Sequence, residues 1–148
     1  MEIDNLEVAS TGNKTFRLKD ARGKKLIVYF YPKDDTPGCT VEGADFRDLY
    51  PQFQQLNCEI VGVSRDSVSS HERFKTKLGL PFDLLADENE AMCNSFRVFK
   101  LKNVDGNEVR GIDRSTFLFD ETGKIMQEWR SVKSAGHAQA VLDTLKAL

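Results

Sequence analysis

The sequence predicts an α/β protein with a central mixed β-sheet and helices on both faces. Residues 26–31 form an apolar run without alternation, as in a central strand that is covered on both sides. A helical pattern follows, and residues 58–63 form a second such run, so the crossover favours a parallel pair of strands. Strand-like runs at 115–120 and 124–129 flank the turn residues 121–123 and predict a hairpin, which adds antiparallel strands.

The segment before the first central strand and the helix after it are predicted next. Turn signals within residues 1–24 indicate short strands in a hairpin-like lead-in. The first helix is expected from near Cys39 to about Phe53. Pro51 should kink this helix or end its regular part, because proline removes a hydrogen-bond donor and crowds the preceding turn.

Capping signals and apolar spacing predict the remaining helices. A helix is expected over residues 67–78, where Ser69 and Glu72 have capping-box spacing and Gly79 ends the helix. A short helix ending at Phe96 follows. Apolar residues three and four apart then mark a closing helix: Ala138, Val141, Leu142 and Leu145. This alternation of strands and helices is typical of thioredoxin-like folds.

Length, composition and charge are those of one ordinary soluble domain. The chain has 148 residues, 40% hydrophobic and 30% charged, so we expect a single domain over residues 1–148. Its net charge of -2 gives no footprint for binding nucleic acid or an anionic membrane. The first residues have neither the basic nor the apolar region of a signal peptide, and no run is long enough to span a bilayer. These features predict a cytoplasmic protein.

Neither a disulfide scaffold nor a metal centre is expected from the sulfur and imidazole groups. Three cysteines are an odd number, and none of them forms a C-x-x-C pair. The two histidines, His71 and His137, are far apart in the sequence and are expected on the surface.

Cys39 lies where the first central strand gives way to a helix. The first turn of a helix has unpaired N–H groups and the positive end of the helix dipole, and both favour a thiolate over a thiol. Loops at the carboxyl ends of parallel strands are also where open α/β sheets place their sites. A cysteine is more often a small buried apolar residue. Here the preceding turn residues, Thr36, Pro37 and Gly38, favour a reactive thiol.

The segment around Cys39 resembles the active-site segment of the peroxiredoxins, specifically of their bacterioferritin comigratory protein or PrxQ branch. Residues 31–42 carry the specific P-x-x-x-T-x-x-C pattern of that family. The similarity continues through residues 45–47, 61–67, 80–82, 84–87 and 114–118. It implies a thioredoxin-like fold and a thiol-dependent peroxidase that reduces hydrogen peroxide and organic hydroperoxides, with no metal or organic cofactor.

The resemblance also implies a role for each matching site residue. Cys39 would be the peroxidatic cysteine, whose thiolate attacks a peroxide oxygen and becomes a sulfenic acid. Pro32 would shield the thiolate, and Thr36 would hold the peroxide in line with the sulfur. Arg114 would stabilise the thiolate and the departing oxygen, and Glu42 would orient Arg114.

The sequence departs from the family pattern in its second cysteine. Many relatives have a resolving cysteine five positions after the peroxidatic one, where this chain has Ala44, and the helix over 67–79 contains none. Cys93 is a candidate resolving cysteine and Cys58 another, although apolar neighbours favour a buried structural role for both. We therefore expect a one-cysteine cycle, in which thioredoxin, glutaredoxin or a small thiol reduces Cys39. A Cys39 disulfide between two subunits is the remaining alternative, although the branch is often monomeric and a monomer is expected.

Two other functions compete with a peroxidase. A thioredoxin-like disulfide oxidoreductase would need a second sulfur at the position of Thr36. A noncatalytic thioredoxin-like binding module would have no reason to combine Pro32, Thr36, Cys39 and Arg114.

Overall fold

A mixed β-sheet forms the centre of the structure, a computed structural model that describes residues 5–148. The expectation that the chain starts without a signal peptide falls partly on residues 1–4, which lie outside the described residues. The elements follow one another as β1 (Glu7–Ser10), β2 (Lys14–Arg17), a 3-10 helix (Leu18–Ala21), β3 (Lys25–Phe30), α1 (Pro37–Gln55), β4 (Cys58–Ser64), α2 (Val68–Leu78), β5 (Asp83–Ala86), α3 (Ala91–Phe96), β6 (Phe99–Val104), β7 (Asn107–Ile112), β8 (Ser115–Phe119), β9 (Ile125–Trp129) and α4 (His137–Lys146).

The strand order of the main sheet is β2-β1-β5-β4-β3-β8-β9. Strands β3, β4 and β5 are parallel, whereas β1, β8 and β9 run antiparallel to their neighbours. The last residue of β3, Phe30, pairs with the first residue of β8, Ser115. The loop after β3 and the residues just before β8 therefore meet at one edge of the sheet, which brings Cys39 and Arg114 together although 75 positions separate them.

Alternate residues of the central strands face two apolar cores. Ile27 and Tyr29 of β3 pack in the core that α1, α2 and α4 cover, and Val28 and Phe30 pack in the core that α3 covers. The prediction of a mixed sheet with helices on both faces is therefore confirmed. No helix in residues 5–148 is both long and apolar enough to cross a membrane.

The first helix differs from its prediction at Pro51. Helix α1 continues past this residue to Gln55, so the expectation that Pro51 could end it is wrong. Phe53 follows within a turn and is fully buried between α1, α4 and the sheet. Burial of such a side chain contributes about 2 kcal/mol, which offsets most of the roughly 3 kcal/mol that a proline costs inside a helix.

The second helix begins with a different cap from the predicted one. Ser67 is the N-cap, and its hydroxyl oxygen accepts a hydrogen bond from the Ser70 N–H at 3.1 Å. The capping role expected for Ser69 is therefore wrong, because the chain is still extended at Ser67 and already helical two residues later. Gly79 ends α2 in the left-handed conformation, with φ 65, as predicted.

Strand β5 and the hairpin of β6 and β7 were not expected from the sequence. The β6–β7 pair forms a separate two-stranded sheet whose residues are mostly exposed, and apolar alternation is confined to residues 99–102, so the pattern gave little signal. Its turn residues, Asp105 and Gly106, both have positive φ. An Asp-Gly pair of this kind favours a two-residue hairpin and was the signal available in the sequence.

Candidate active site

Cys39 is the third residue of α1 and is only 2% exposed. Thr36 precedes the helix in extended conformation, and its carbonyl accepts the N–H of Thr40 at 2.9 Å. Pro37 occupies the first helical position, where the absent N–H costs no hydrogen bond. The thiol therefore lies in the first turn, where the helix dipole favours a negative charge.

Arg114 lies just before β8 and contacts two side chains of α1. Its Nη2 donates to Cys39 Sγ at 3.3 Å, and its Nη1 donates to Glu42 Oε1 at 2.6 Å. The guanidinium is 14% exposed and Glu42 is fully buried. One planar cation thus bridges the sulfur and the carboxylate, and the fork geometry fixes its orientation.

Gly38 allows the arginine to approach the helix. A Cβ atom at this position would lie 3.1 Å from Arg114 Nη2 and 3.4 Å from Ser134 Oγ. Sequence reasoning treated Gly38 only as a turn residue. The requirement for a glycine here depends on a side chain from a distant strand, so the local sequence carried no signal for it.

Glu42 and Arg114 form a buried pair whose protonation is finely balanced. Burial raises the pKa of Glu42 to about 7, against the attraction of the Arg114 guanidinium. Burial acts to lower the pKa of Arg114, but the charges of Glu42 and Cys39 outweigh it and hold that pKa above its usual value. Oε2 of Glu42 has no hydrogen-bond partner among the described residues. The charge of Glu42, and with it the attraction between this carboxylate and Arg114, therefore changes near neutral pH.

Thr36 and Pro32 lie on the loop between β3 and α1, and both are partly exposed. The Thr36 hydroxyl donates to the carbonyl oxygen of Lys33 at 2.9 Å. That bond uses the hydroxyl proton and leaves the oxygen able to accept a hydrogen bond from a hydroperoxide.

The other two cysteines are buried, and neither forms a disulfide. Cys58 begins β4 beside Lys25, at the opposite end of β3 from the site. At about 3.3 Å per residue, that strand alone separates Cys58 from the site by roughly 16 Å. Cys93 packs in the core on the other face of the sheet from Cys39. Burial raises the pKa of Cys58 to about 12 and also raises the pKa of Cys93, so both favour the thiol form.

Both histidines are buried, so the expectation that they lie on the surface is wrong. His71 is fully buried between α2 and the sheet, and His137 is 5% exposed. His137 Nε2 lies 2.7 Å from Thr116 Oγ1, and burial together with the nearby Arg114 charge lowers its pKa to about 4. Two serines before His71, and the position of His137 before the apolar face of the last helix, suggested exposure, whereas the partners of both histidines come from distant strands and loops.

Asp34, Asp66 and His71 form the group among residues 5–148 whose ligand atoms are close enough to hold a metal, all within 4.8 Å of one another. His71 Nδ1 is already 2.7 Å from Asp34 Oδ2. Asp66 Oδ2 accepts bonds from the Asp34 N–H and the Ser64 hydroxyl. The carboxylate and imidazole atoms of this group therefore already take part in hydrogen bonds with one another and with Ser64.

A thioredoxin-like sheet with an arginine-paired cysteine at a helix start defines the class of the protein as a thiol-dependent peroxidase. The model of the AhpC/TSA family matches residues 2–128, and the chain belongs to this family. It is 50% identical to peroxiredoxin Bcp of Xanthomonas campestris, over 97% of this chain and 89% of that protein. It is 47% identical to peroxiredoxin Bcp of Bacillus subtilis, over 96% and 90%.

Solved structures show the same fold. The bacterioferritin comigratory protein of Xanthomonas campestris, studied for its alkyl peroxide reduction activity, superposes with a TM-score of 0.94 at 49% identity, covering 98% of this chain and 92% of that one. Xylella fastidiosa PrxQ gives a TM-score of 0.95 at 44% identity, covering 99% and 91%. The predicted peroxiredoxin resemblance and thioredoxin-like fold are therefore confirmed.

Proposed function

We propose that Cys39 is the peroxidatic residue and that it reduces hydrogen peroxide and organic hydroperoxides. The observation that carries the proposal is the guanidinium of Arg114, which donates to Cys39 Sγ at 3.3 Å and to the buried Glu42. The alkyl peroxide reduction activity of the Xanthomonas campestris relative supports organic hydroperoxides as substrates.

The proposed reaction is a displacement at oxygen. The Cys39 thiolate attacks the terminal oxygen of ROOH, an S–O bond forms as the O–O bond breaks, and the alkoxide leaves and takes up a proton. Cys39 is oxidised to a sulfenic acid and the peroxide is reduced to an alcohol, or to water from hydrogen peroxide. No metal or organic cofactor enters this balance.

The neighbouring residues have distinct roles in this proposal. Arg114 stabilises the thiolate and the negative charge that grows on the leaving oxygen. Glu42 orients Arg114 through its 2.6 Å bond. Thr36 accepts a hydrogen bond from the incoming peroxide, and Pro32 limits the access of water to the sulfur.

We propose a one-cysteine cycle for the return to the thiol. Residue 44, where many relatives have a resolving cysteine, is alanine. Cys58 lies at the far end of the central strands and Cys93 on the other face of the sheet, so neither sulfur can reach Cys39 in the folded chain. An external thiol would attack the sulfenic acid and release water, and a second thiol would then reduce the mixed disulfide. Thioredoxin, glutaredoxin and small thiols all supply this chemistry.

The domain organisation, the oligomeric state and the cellular location are inferred from the site residues and the cysteines. We infer that residues 1–148 act as one domain and as a monomer, because a single chain supplies Cys39, Arg114, Glu42 and Thr36. We infer a cytoplasmic location, because three cysteines without a disulfide fit a reducing compartment.

Single-cysteine variants test the proposed function. Peroxide consumption should be abolished in Cys39→Ser and should stay close to the wild-type rate in Cys58→Ser and Cys93→Ser when a small thiol is the reductant. Loss of turnover in Cys93→Ser or Cys58→Ser, with the fold intact by circular dichroism, would assign a resolving role to that residue. Retained turnover in Cys39→Ser would contradict the proposal.

A further inference from the structure

His71 is buried in the core with hydrogen-bond acceptors on both sides of its ring. Nδ1 lies 2.7 Å from Asp34 Oδ2, and Nε2 lies 2.8 Å from the carbonyl oxygen of Leu85 in β5. The Tyr31 hydroxyl, 3.4 Å from Nδ1, gives its proton to Asp34 Oδ1 at 2.6 Å. Toward the ring, this hydroxyl can therefore act only as an acceptor.

Both short contacts of the ring are satisfied when both ring nitrogens carry protons and Asp34 is a carboxylate. A neutral imidazole has one N–H, so one of the two contacts would bring lone pairs together unless Asp34 held the missing proton. Burial disfavours ionisation of Asp34, but the hydrogen bonds from His71 and Tyr31 outweigh it and hold the pKa of Asp34 below its usual value. The lowered pKa favours the arrangement in which Asp34 is the carboxylate and His71 donates from both ring nitrogens, and a carboxyl oxygen of Asp66 also lies within 4.8 Å.

The pair fixes the loop that carries the proposed peroxide-binding residues. Asp34 lies two residues before Thr36, and its carboxylate also accepts the Ser70 hydroxyl at 2.8 Å. Its own N–H donates to Asp66 at 2.9 Å. Asp35, between Asp34 and Thr36, has φ 61, a left-handed conformation that residues with a side chain rarely adopt. The anchor at Asp34 thus lies directly beside a residue of unusual backbone conformation that leads into Thr36.

We propose that His71, as an imidazolium, is a positioning residue for peroxide reduction. His71 holds Asp34 in the core. Asp34 in turn fixes the position of the loop that carries Pro32 and Thr36 relative to α2 and β5. The contact between Cys39 and Arg114 is made from α1 and from the residue just before β8, and neither side chain touches His71 or Asp34 through a hydrogen bond. The inference rests on the proposed function of Cys39.

Two readouts on one variant separate positioning from loss of structure. In His71→Gln, a neutral side chain leaves the Asp34 carboxylate without its cation. Peroxide reduction should slow by about 10-fold to 100-fold, as expected when a substrate-orienting group moves by about 1 Å. Alkylation of Cys39 by iodoacetamide needs neither Thr36 nor Pro32 and should stay at or above the wild-type rate. Equal losses in both rates, or no loss in peroxide reduction, would overturn the proposal.

Matched variants provide the control and the rescue. Arg73→Ala changes an exposed residue of the same helix and should leave both rates unchanged. Asp34→Asn should retain most of the peroxide rate, because a neutral His71 can accept from the asparagine amide at Nδ1 and still donate from Nε2 to Leu85. Asp34→Asn combined with His71→Gln should be faster than His71→Gln alone. A double variant no faster than His71→Gln would count against the ion pair as the cause.

The protonation state can be measured even if the His71→Gln protein does not fold. Nitrogen-15 NMR of the histidine rings should show both nitrogens of His71 protonated in the wild type and only Nε2 protonated in Asp34→Asn. A neutral His71 ring in the wild type would overturn the proposal. Loss of peroxide turnover in Cys39→Ser tests the proposed function separately, so the two failures are distinguishable.

Discussion

The guanidinium of Arg114 connects the sulfur, the buried carboxylate and the first turn of α1. Its Nη2 donates to Cys39 Sγ at 3.3 Å, and its Nη1 donates to Glu42 Oε1 at 2.6 Å. The guanidinium therefore places a positive charge in direct contact with the sulfur. Arg114→Ala should slow peroxide reduction by about 100-fold to 1,000-fold, the usual effect of removing one transition-state donor. Stopped-flow peroxide kinetics measure this change. Arg110→Ala, in the exposed hairpin, is the matched control, and equal kinetics for the two variants would remove Arg114 from the site.

The variant Gly38→Ala tests whether the close approach of Arg114 to α1 supports activity. A Cβ at this position would meet Arg114 Nη2 at 3.1 Å, so Gly38→Ala should displace the guanidinium and slow peroxide reduction about 10-fold. Gly38 is the second residue of α1, so the better helix propensity of alanine contributes less there than in a helix interior. Gly43→Ala in the same helix meets Leu78 instead and should keep its activity. A fully active Gly38→Ala would show that this contact does not position Arg114.

At the scale of elements, the sequence predicted those parts whose signals are local. The continuous apolar runs predicted β3 and β4, and the glycine after α2 predicted where that helix ends. The arrangement around His71 was not predictable, because its partners Asp34 and Leu85 come from a loop and a strand elsewhere in the chain. The polar hairpin of β6 and β7 was missed because it has little buried surface to impose an apolar pattern.

The left-handed conformation of Gly79 at the end of α2 contributes to the stability of the protein. No atom lies within 4 Å of a Cβ added at Gly79, so the cost of a substitution is conformational. Gly79→Ala should lower the free energy of unfolding by about 1 kcal/mol, and Gly79→Asn by less, because asparagine tolerates positive φ. Urea denaturation of the two variants measures the difference. Equal stabilities would mean that the left-handed cap does not set the cost.

At the scale of the whole molecule, two buried groups give opposite pH dependence to the stability. His137 has a pKa of about 4 in the folded chain and 6.5 ordinarily, so its contribution is lost as the pH falls between these values. Glu42 has a pKa of about 7 in the folded chain and 4.5 ordinarily, so the folded state binds the extra proton and stability is lost as the pH rises. In the wild type the two contributions largely cancel.

Single variants should reveal these hidden contributions. Between about pH 7 and about pH 5, acidification should stabilise His137→Gln relative to the wild type by about 2 kcal/mol. The same change should destabilise Glu42→Gln relative to the wild type by a similar amount. Urea unfolding at the two pH values measures both, with the wild type as the reference. Parallel pH profiles for all three proteins would contradict the assigned pKa shifts.

The organisation of the whole chain supports the proposed one-cysteine cycle. Residue 44 is alanine, Cys93 packs on the far face of the sheet, and Cys58 begins β4 at the far end of the central strands. The sequence predicted the absence of a usual resolving cysteine, but only the three-dimensional fold separates the remaining two thiols from the site. In the proposed one-cysteine cycle, a thiol from outside the chain therefore reduces the sulfenic acid on Cys39.

Non-reducing mass spectrometry after one equivalent of peroxide, with dimedone present to trap sulfenic acid, tests the proposed one-cysteine cycle. We expect a single dimedone adduct on Cys39, with Cys58 and Cys93 recovered as free thiols. A Cys39–Cys93 or Cys39–Cys58 crosslink, or an unmodified Cys39, would overturn the proposed cycle.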